Sequence, residues 1–342
     1  MRIVFLSFFS TALVTFSALP VLAQSYKVTG SINIGGNGGW DYLTADSENQ
    51  RLYVSHGNEV VVVDPDSEKV VGHIAGLNRI HGIAVANDLG LGFISDGGSN
   101  EVVAFQLQNL AVKQKIKAGT NPDGVVYDSV SKRVFAFNGR SGDATAIEGA
   151  TGDVAGTIKL GGKPEFPVSD GNGSVYANIE DKSEIVRIDS KKLTVTSHWS
   201  LSPCESPSGL AIDHANRRLF AVCDNKMMAV VDADSGKVLA TPAIGEGPDA
   251  AGYDPGKRLA FSSNGESGTL TIIREDGDDK YSEAGTVKTA PGARTMALDE
   301  KTHKIYLSTA SFGPPTAATP SGARPRPTIV PGSFKLLVVS PE

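Results

Sequence analysis

"WDYLTADSENQRLYVSHGNEVVVVDPDSEKVVGHI", residues 40–74, decides the fold. A short run ending in Asp46 meets a polar turn. A basic residue, Arg51, opens an apolar β run. A polar corner at 56–59 leads to a second apolar run ending in Asp64, and a further turn precedes "VVGHI". Short β-branched and aromatic runs cut by Gly, Asn, Asp and Ser read as four antiparallel strands joined by tight turns.

The same grammar recurs along the chain. "RVFAFNGRSGDATAIEGATGDVAGTI" from Arg133, "RLFAVCDNKMMAVVDADSGKVLATP" from Arg218 and "RLAFSSNGESGTLTIIRED" from Arg258 obey it, as do segments from Gly92 and Ser174. Each is preceded by an entry strand: "HGIAVAN", "PDGVVYD", "PEFPVSD", "PSGLAID", "PDAAGYD" and "ARTMALD". The aligned entry residues are Asp41, His81, Asp123, Glu165, Ser208, Asp249 and Arg294, with successive spacings of 40, 42, 42, 43, 41 and 45. Seven copies of about four strands at this period specify an all-β chain, a seven-bladed β-propeller. One unit cannot bury both faces of its sheet, so residues 24–342 are expected to form a single domain.

The seventh copy lacks a fourth strand. It runs through "KIYLSTA" (304–310), meets "GPPTAATPSGARPRPTIVPG" (313–332), and resumes with "FKLLVVS" (334–340). A spare strand, "YKVTGSINI" (26–34), stands before the first copy. Using it as the outer strand of the last blade closes the ring and leaves no open sheet edge there. Residues 312–332 are then an enlarged loop between the second and third strands of that blade. Its prolines make it stiff, and Arg324 and Arg326 alternate with Pro325 and Pro327.

The first 23 residues have one charge, Arg2, an apolar run and a Val-Leu-Ala ending, the form of a cleavable secretory leader. The expected location is periplasmic or secreted, with no membrane span after cleavage, and a monomer is expected. The formal net charge of −6 and the lack of basic runs argue against a nucleic-acid footprint. Cys204 and Cys223 are the only cysteines. Export favours a disulfide between them over a metal pair or a nucleophile.

Blade topology puts the entry residues and the corners after each second strand on one face, the upper face, around the axis. The entry ring and the corner residues His56, Asp96, Asn138, Arg140, Glu180, Asp224, Asn225, Asn264 and Glu266 are polar and rich in carboxylates, and loops on a rigid scaffold are where binding groups sit. The expected ligand-binding set is Asp41, His56, His81, Asp123, Arg140, Glu165, Asp249, Asn264 and Arg294. His56 closes blade 1 and His81 opens blade 2, so the two are expected to be neighbours. With Asp41 or Asp96 they suit Zn, Cu or Ni. Carboxylates and Asn alone suit Ca2+, which takes six to eight oxygens. The ring also works with no cofactor. His-Glu-x-x-His, Gly-x-Ser-x-Gly and phosphate-cradling Gly motifs are absent.

"LYVSHGNEVVVVD" and "FAVCDNKMMAVVD" resemble the YVTN repeat of YncE-like exported β-propellers, Tyr53-Val54-Ser55-His56 being the closest match. The resemblance covers essentially the whole chain after the leader. It implies a binding or scaffolding module and supplies no catalytic residues. The leading expectation is therefore an exported, non-enzymatic propeller that engages a small molecule or protein partner through its acidic upper face and axial channel. The alternatives are a lactonase-like or other metal-assisted hydrolase using the axial pocket, and the propeller subunit of an exported redox complex.

Overall fold

The third residue of the second strand is aromatic in all seven repeats: Tyr53, Phe93, Phe135, Tyr176, Phe220, Phe261 and Tyr306. In the computed structural model each is at most 1% exposed. The structure describes residues 25–277, 279–315 and 327–342. The proposed leader therefore lies outside the described residues.

Seven four-stranded antiparallel sheets follow one another along the chain. Blade 1 is Trp40–Asp46, Arg51–His56, Glu59–Asp64 and Lys69–Ile74. The inner strands of blades 2 to 7 are Ile80–Ala86, Pro122–Asp128, Pro164–Ser169, Pro207–Asp213, Pro248–Asp254 and Met296–Asp299. Second and third strands are buried on both faces, because each sheet is pressed between two neighbours, so they read as continuous apolar runs such as "EVVVVD". Outer strands are mostly exposed and bury single residues, such as Ile74 and Ile116. The core is accordingly divided into seven clusters, one in each seam between adjacent blades. Truncating a buried aromatic of this kind costs about 3–5 kcal/mol.

The lower face adds a polar clasp across every seam. Asn87 donates to Asp46 (3.2 Å), Tyr127 to Asp88 (3.0 Å) and Ser169 to Asp128 (2.7 Å). Arg217 donates to Asp170 (2.9 Å), Asn216 to Glu275 (3.4 Å) and Ser47 to Asp299, and His303 Nδ1 lies 2.7 Å from Asp254.

The ring closes as the spare strand predicts. Tyr26–Asn33 pairs antiparallel with Lys335–Pro341, from Tyr26 opposite Pro341 to Asn33 opposite Lys335. Lys335–Pro341 pairs in turn with Lys304–Thr309. Between those two strands the chain forms a short hairpin, Phe312–Pro315 against Pro327–Ile329. Phe312 reaches the upper end of the seam between blades 7 and 1, its ring centroid 6.1 Å from that of Trp40. Arg324 and Arg326 lie outside the described residues.

Candidate functional site: an ionised arc at the axial mouth

Six inner strands share one irregularity. The register with the second strand shifts between Trp40 and Leu43, Ile80 and Ile83, Pro122 and Val125, Pro164 and Pro167, Pro207 and Leu210, and Pro248 and Ala250. Each shift spans one entry residue: Asp41, His81, Asp123, Glu165, Ser208 or Asp249. A bulge re-aims the side chain it carries, and here it turns the entry residues out of the sheet plane toward the mouth. In the last blade Arg294 sits just ahead of an inner strand that begins only at Met296.

The arms of these residues meet in a chain of alternating charge. Arg294 Nη1 pairs with Asp249, and its Nη2 stands 3.7 Å from Asp41 Oδ1 and donates to the Trp40 carbonyl at 3.1 Å. Asp41 Oδ2 lies 2.6 Å from His81 Nδ1, which is 3.7 Å from Asp123 Oδ1. Asp249, Arg294, Asp41, His81 and Asp123 thus form one arc through blades 6, 7, 1, 2 and 3. Blade 4 adds Glu165, paired with Lys163 Nζ at 2.7 Å, and Lys163 also pairs with Glu180. Ser208 turns its hydroxyl onto the Pro248 and Asp249 carbonyls, both at 3.2 Å.

Two aromatic rings fill the axis among these groups. In the position after the entry residue the repeats carry Tyr42, Gly82, Gly124, Phe166, Gly209, Ala250 and Thr295. Tyr42 of blade 1 stacks on Phe166 of blade 4, centroids 4.2 Å apart. Blades 1 and 4 are not neighbours, so the pair spans the ring. The glycines mark where inner strands crowd. A Cβ on Gly209 would stand 2.6 Å from the Ala251 amide nitrogen, and one on Gly82 2.9 Å from the Asp123 carbonyl oxygen.

Burial sets the ionisation. Desolvation pushes Asp123 up to about 6, with His81 opposing and Asp41 adding to the rise. Desolvation, reinforced by Asp123, pushes Glu165 up to about 8 against the pull of Lys163. Burial also raises Asp249, although Arg294 resists. For His81 burial works against the charged form, but the Asp41 hydrogen bond and the Asp123 charge outweigh it, and its pKa is raised. The Tyr42 phenol is driven well up by burial and then by the charges of Asp123, Glu165, Asp41 and Asp249.

Three expected site residues stand elsewhere. His56 pairs across the sheet with Trp40, and its ring stacks on Phe334 at 4.3 Å in the seam between blades 7 and 1. It is 4% exposed, burial holds its pKa down, and it does not join His81. Asn264 is fully buried and its amide bridges Thr269 and Thr271 within its own corner, as Asn138 does with Asp143 and Thr145. Arg140 is exposed at the blade 3 corner and forms no ion pair among the described residues. Lys163, Tyr42 and Phe166 are the members that sequence reasoning missed. Cys204 and Cys223 form a disulfide between the entry and corner of blade 5, with Cα atoms 5.7 Å apart, the bond of an oxidising compartment.

A cleft of about 740 Å3 opens on the opposite face, lined by Asn49, Arg51, Asn87, Gln106 and Lys113 among others. Its charged lining is Glu48, Arg51 and Lys113, none of them in an ion pair among the described residues, whereas the mouth gathers four carboxylates, a histidine and two cations. Among the described residues no helix is long and apolar enough to cross a membrane.

Fold and mouth define a seven-bladed β-propeller with an ionised axial ring. No family model and no curated protein matches the sequence. Among solved structures the chain is similar to the WD40 repeats of RRP9, at TM-score 0.76 and 8% identity, covering 92% of this chain and 99% of that one. It is similar to U3-55K at TM-score 0.74 and 8% identity, covering 90% and 97%. Hydrazine synthase of Kuenenia stuttgartiensis matches at TM-score 0.69 and 15% identity, covering 79% and 92%. At these identities the likeness is one of fold.

Proposed function

We propose that the chain is an exported binding module of the YncE-like kind, without chemistry of its own, whose upper face takes a ligand or partner presenting a cationic group. The propeller fold is consistent with a binding or scaffold role. The observation that carries the reading is the set of bulges that aims four carboxylates at the mouth over the Tyr42–Phe166 pair. Carboxylates held together favour a cation, and an aromatic face beneath them adds cation–π attraction. Spermidine titrated calorimetrically into the wild type at low salt should bind. Asp123→Asn with Glu165→Gln should weaken it at least tenfold while the melting transition persists. No heat with the wild type, or equal affinity in both proteins, contradicts the proposal.

One observation favours a second reading. Glu165, protonated beside the more acidic Asp123, has the makings of an acid–base pair for hydrolysis. Turnover of simple lactones or p-nitrophenyl esters by the wild type, lost in Glu165→Gln, decides for an enzyme.

A further inference from the structure

Within the arc, Asp41, His81 and Asp123 offer one imidazole nitrogen and two carboxylate oxygens, all within 4.8 Å of one another. His81 Nδ1 is 2.6 Å from one oxygen and 3.7 Å from the other. Tetrahedral ligands at bond lengths of ~2.1 Å lie about 3.4 Å apart. The two separations bracket that value. The first opens when the proton shared between His81 and Asp41 leaves, and the second closes by a small turn of the Asp123 side chain.

A second observation points to the same place. Tyr42 follows Asp41 in the same bulge, is 8% exposed, and stacks its ring on Phe166. A phenol next to a ligating aspartate is the kind of group that serves as its outer hydrogen-bond donor.

We propose that Asp41, His81 and Asp123 form a binding site for a divalent first-row transition ion, held at His81 Nδ1 and one oxygen from each aspartate. The fourth position opens to the mouth. His81 must bind through Nδ1, because its Nε2 is buried against the Gly97 corner. One nitrogen with two carboxylates suits zinc-like ions, whereas Ca2+ takes six to eight oxygens. The ion replaces the Nδ1 proton, so binding releases a proton and raises the charge of the arc by one. The open position then accepts an oxygen of the ligand. The proposal rests on the mouth being the binding face, but it does not depend on an organic cation binding there.

The test is calorimetric titration of ZnCl2 into the EDTA-treated mature protein in two buffers of different ionisation enthalpy, with CaCl2 in parallel. One Zn2+ per chain, proton release and a raised melting temperature are expected. His81→Gln and, separately, Asp41→Asn should each lower Zn2+ affinity at least tenfold, with the disulfide and the cooperative melt retained as the check on folding. Asp123→Asn supplies a third variant should either unfold. No saturable Zn2+ binding by the wild type, wild-type affinity in the folded variants, or tighter binding of Ca2+ than Zn2+ overturns the site. Spermidine binding by the same EDTA-treated protein reports separately on the proposed function, so the two failures are distinguishable.

Discussion

Asp123 and Glu165 hold protons at pH values where carboxyls of the unfolded chain, near 4, have lost theirs. Their folded pKa values, about 6 and about 8, lie above the unfolded ones. Between about pH 4 and about pH 8 the native state therefore binds more protons than the unfolded state, and stability falls as pH rises through that window. His81 acts in the same direction, because its raised pKa gives stability that is present below the unfolded value and lost above the folded one. The melting temperature of the wild type should drop between about pH 5 and about pH 8.5, and Asp123→Asn with Glu165→Gln should flatten the slope. Parallel slopes in the two proteins contradict the assignment. The positions of the ring were legible in the sequence, because the entry residues recur at a fixed place in each repeat. Direction was not. The bulges aim His81 into the arc, while Phe334, from the far end of the chain, draws His56 into the seam beside blade 7. Tyr42 and Phe166 were open to reading, since they replace small residues at one repeat position. Lys163 was readable too, as a basic residue two places ahead of an acidic entry position.

Among the elements, two closures carry consequences. The first is Tyr26–Asn33, the outer strand of blade 7. Tyr26 and Ile32 enter two different seam clusters, and Tyr26 packs edge-on against Phe261 of blade 6 at 5.3 Å. Deleting residues 25–33 exposes the edge of Lys335–Pro341 and opens both seams. Thermal denaturation should show the whole transition shifted far down or lost, and a melt like that of the full chain would contradict the closure. The second is the Cys204–Cys223 disulfide, which bridges a sequence separation of 19 within blade 5. In the chain-entropy account a loop of this order contributes about 3 kcal/mol. Replacing both cysteines with serine should lower stability by about 2–4 kcal/mol in a denaturant titration. A change under about 0.5 kcal/mol, the range of neutral surface substitutions, would show that the bond adds nothing. Both closures were legible, one from a spare strand counted against a missing one, the other from two cysteines that the repeat alignment places on the same edge. The hairpin at Phe312 was not, because Pro-rich sequence carries no period by which to place it.

For the whole molecule, seven repeats with one buried aromatic each make seven equivalent seams, and the seventh closes only because the chain's two ends share a blade. That arrangement leaves the lower face clasped by hydrogen bonds at every seam and gathers the ion-paired arc at the upper mouth. A rigid ring of this kind suits a site whose groups come from six blades, since the strands that carry them are already in place. The mouth is the proposed binding face of the molecule. A crystal of the wild type soaked in spermidine tests it most directly. An ordered ammonium group is expected within hydrogen-bonding reach of Asp123 and Glu165, over the Tyr42–Phe166 pair. Spermidine seated in the lower-face cleft beside Asn49 and Gln106, or an empty mouth at saturating spermidine, would contradict it.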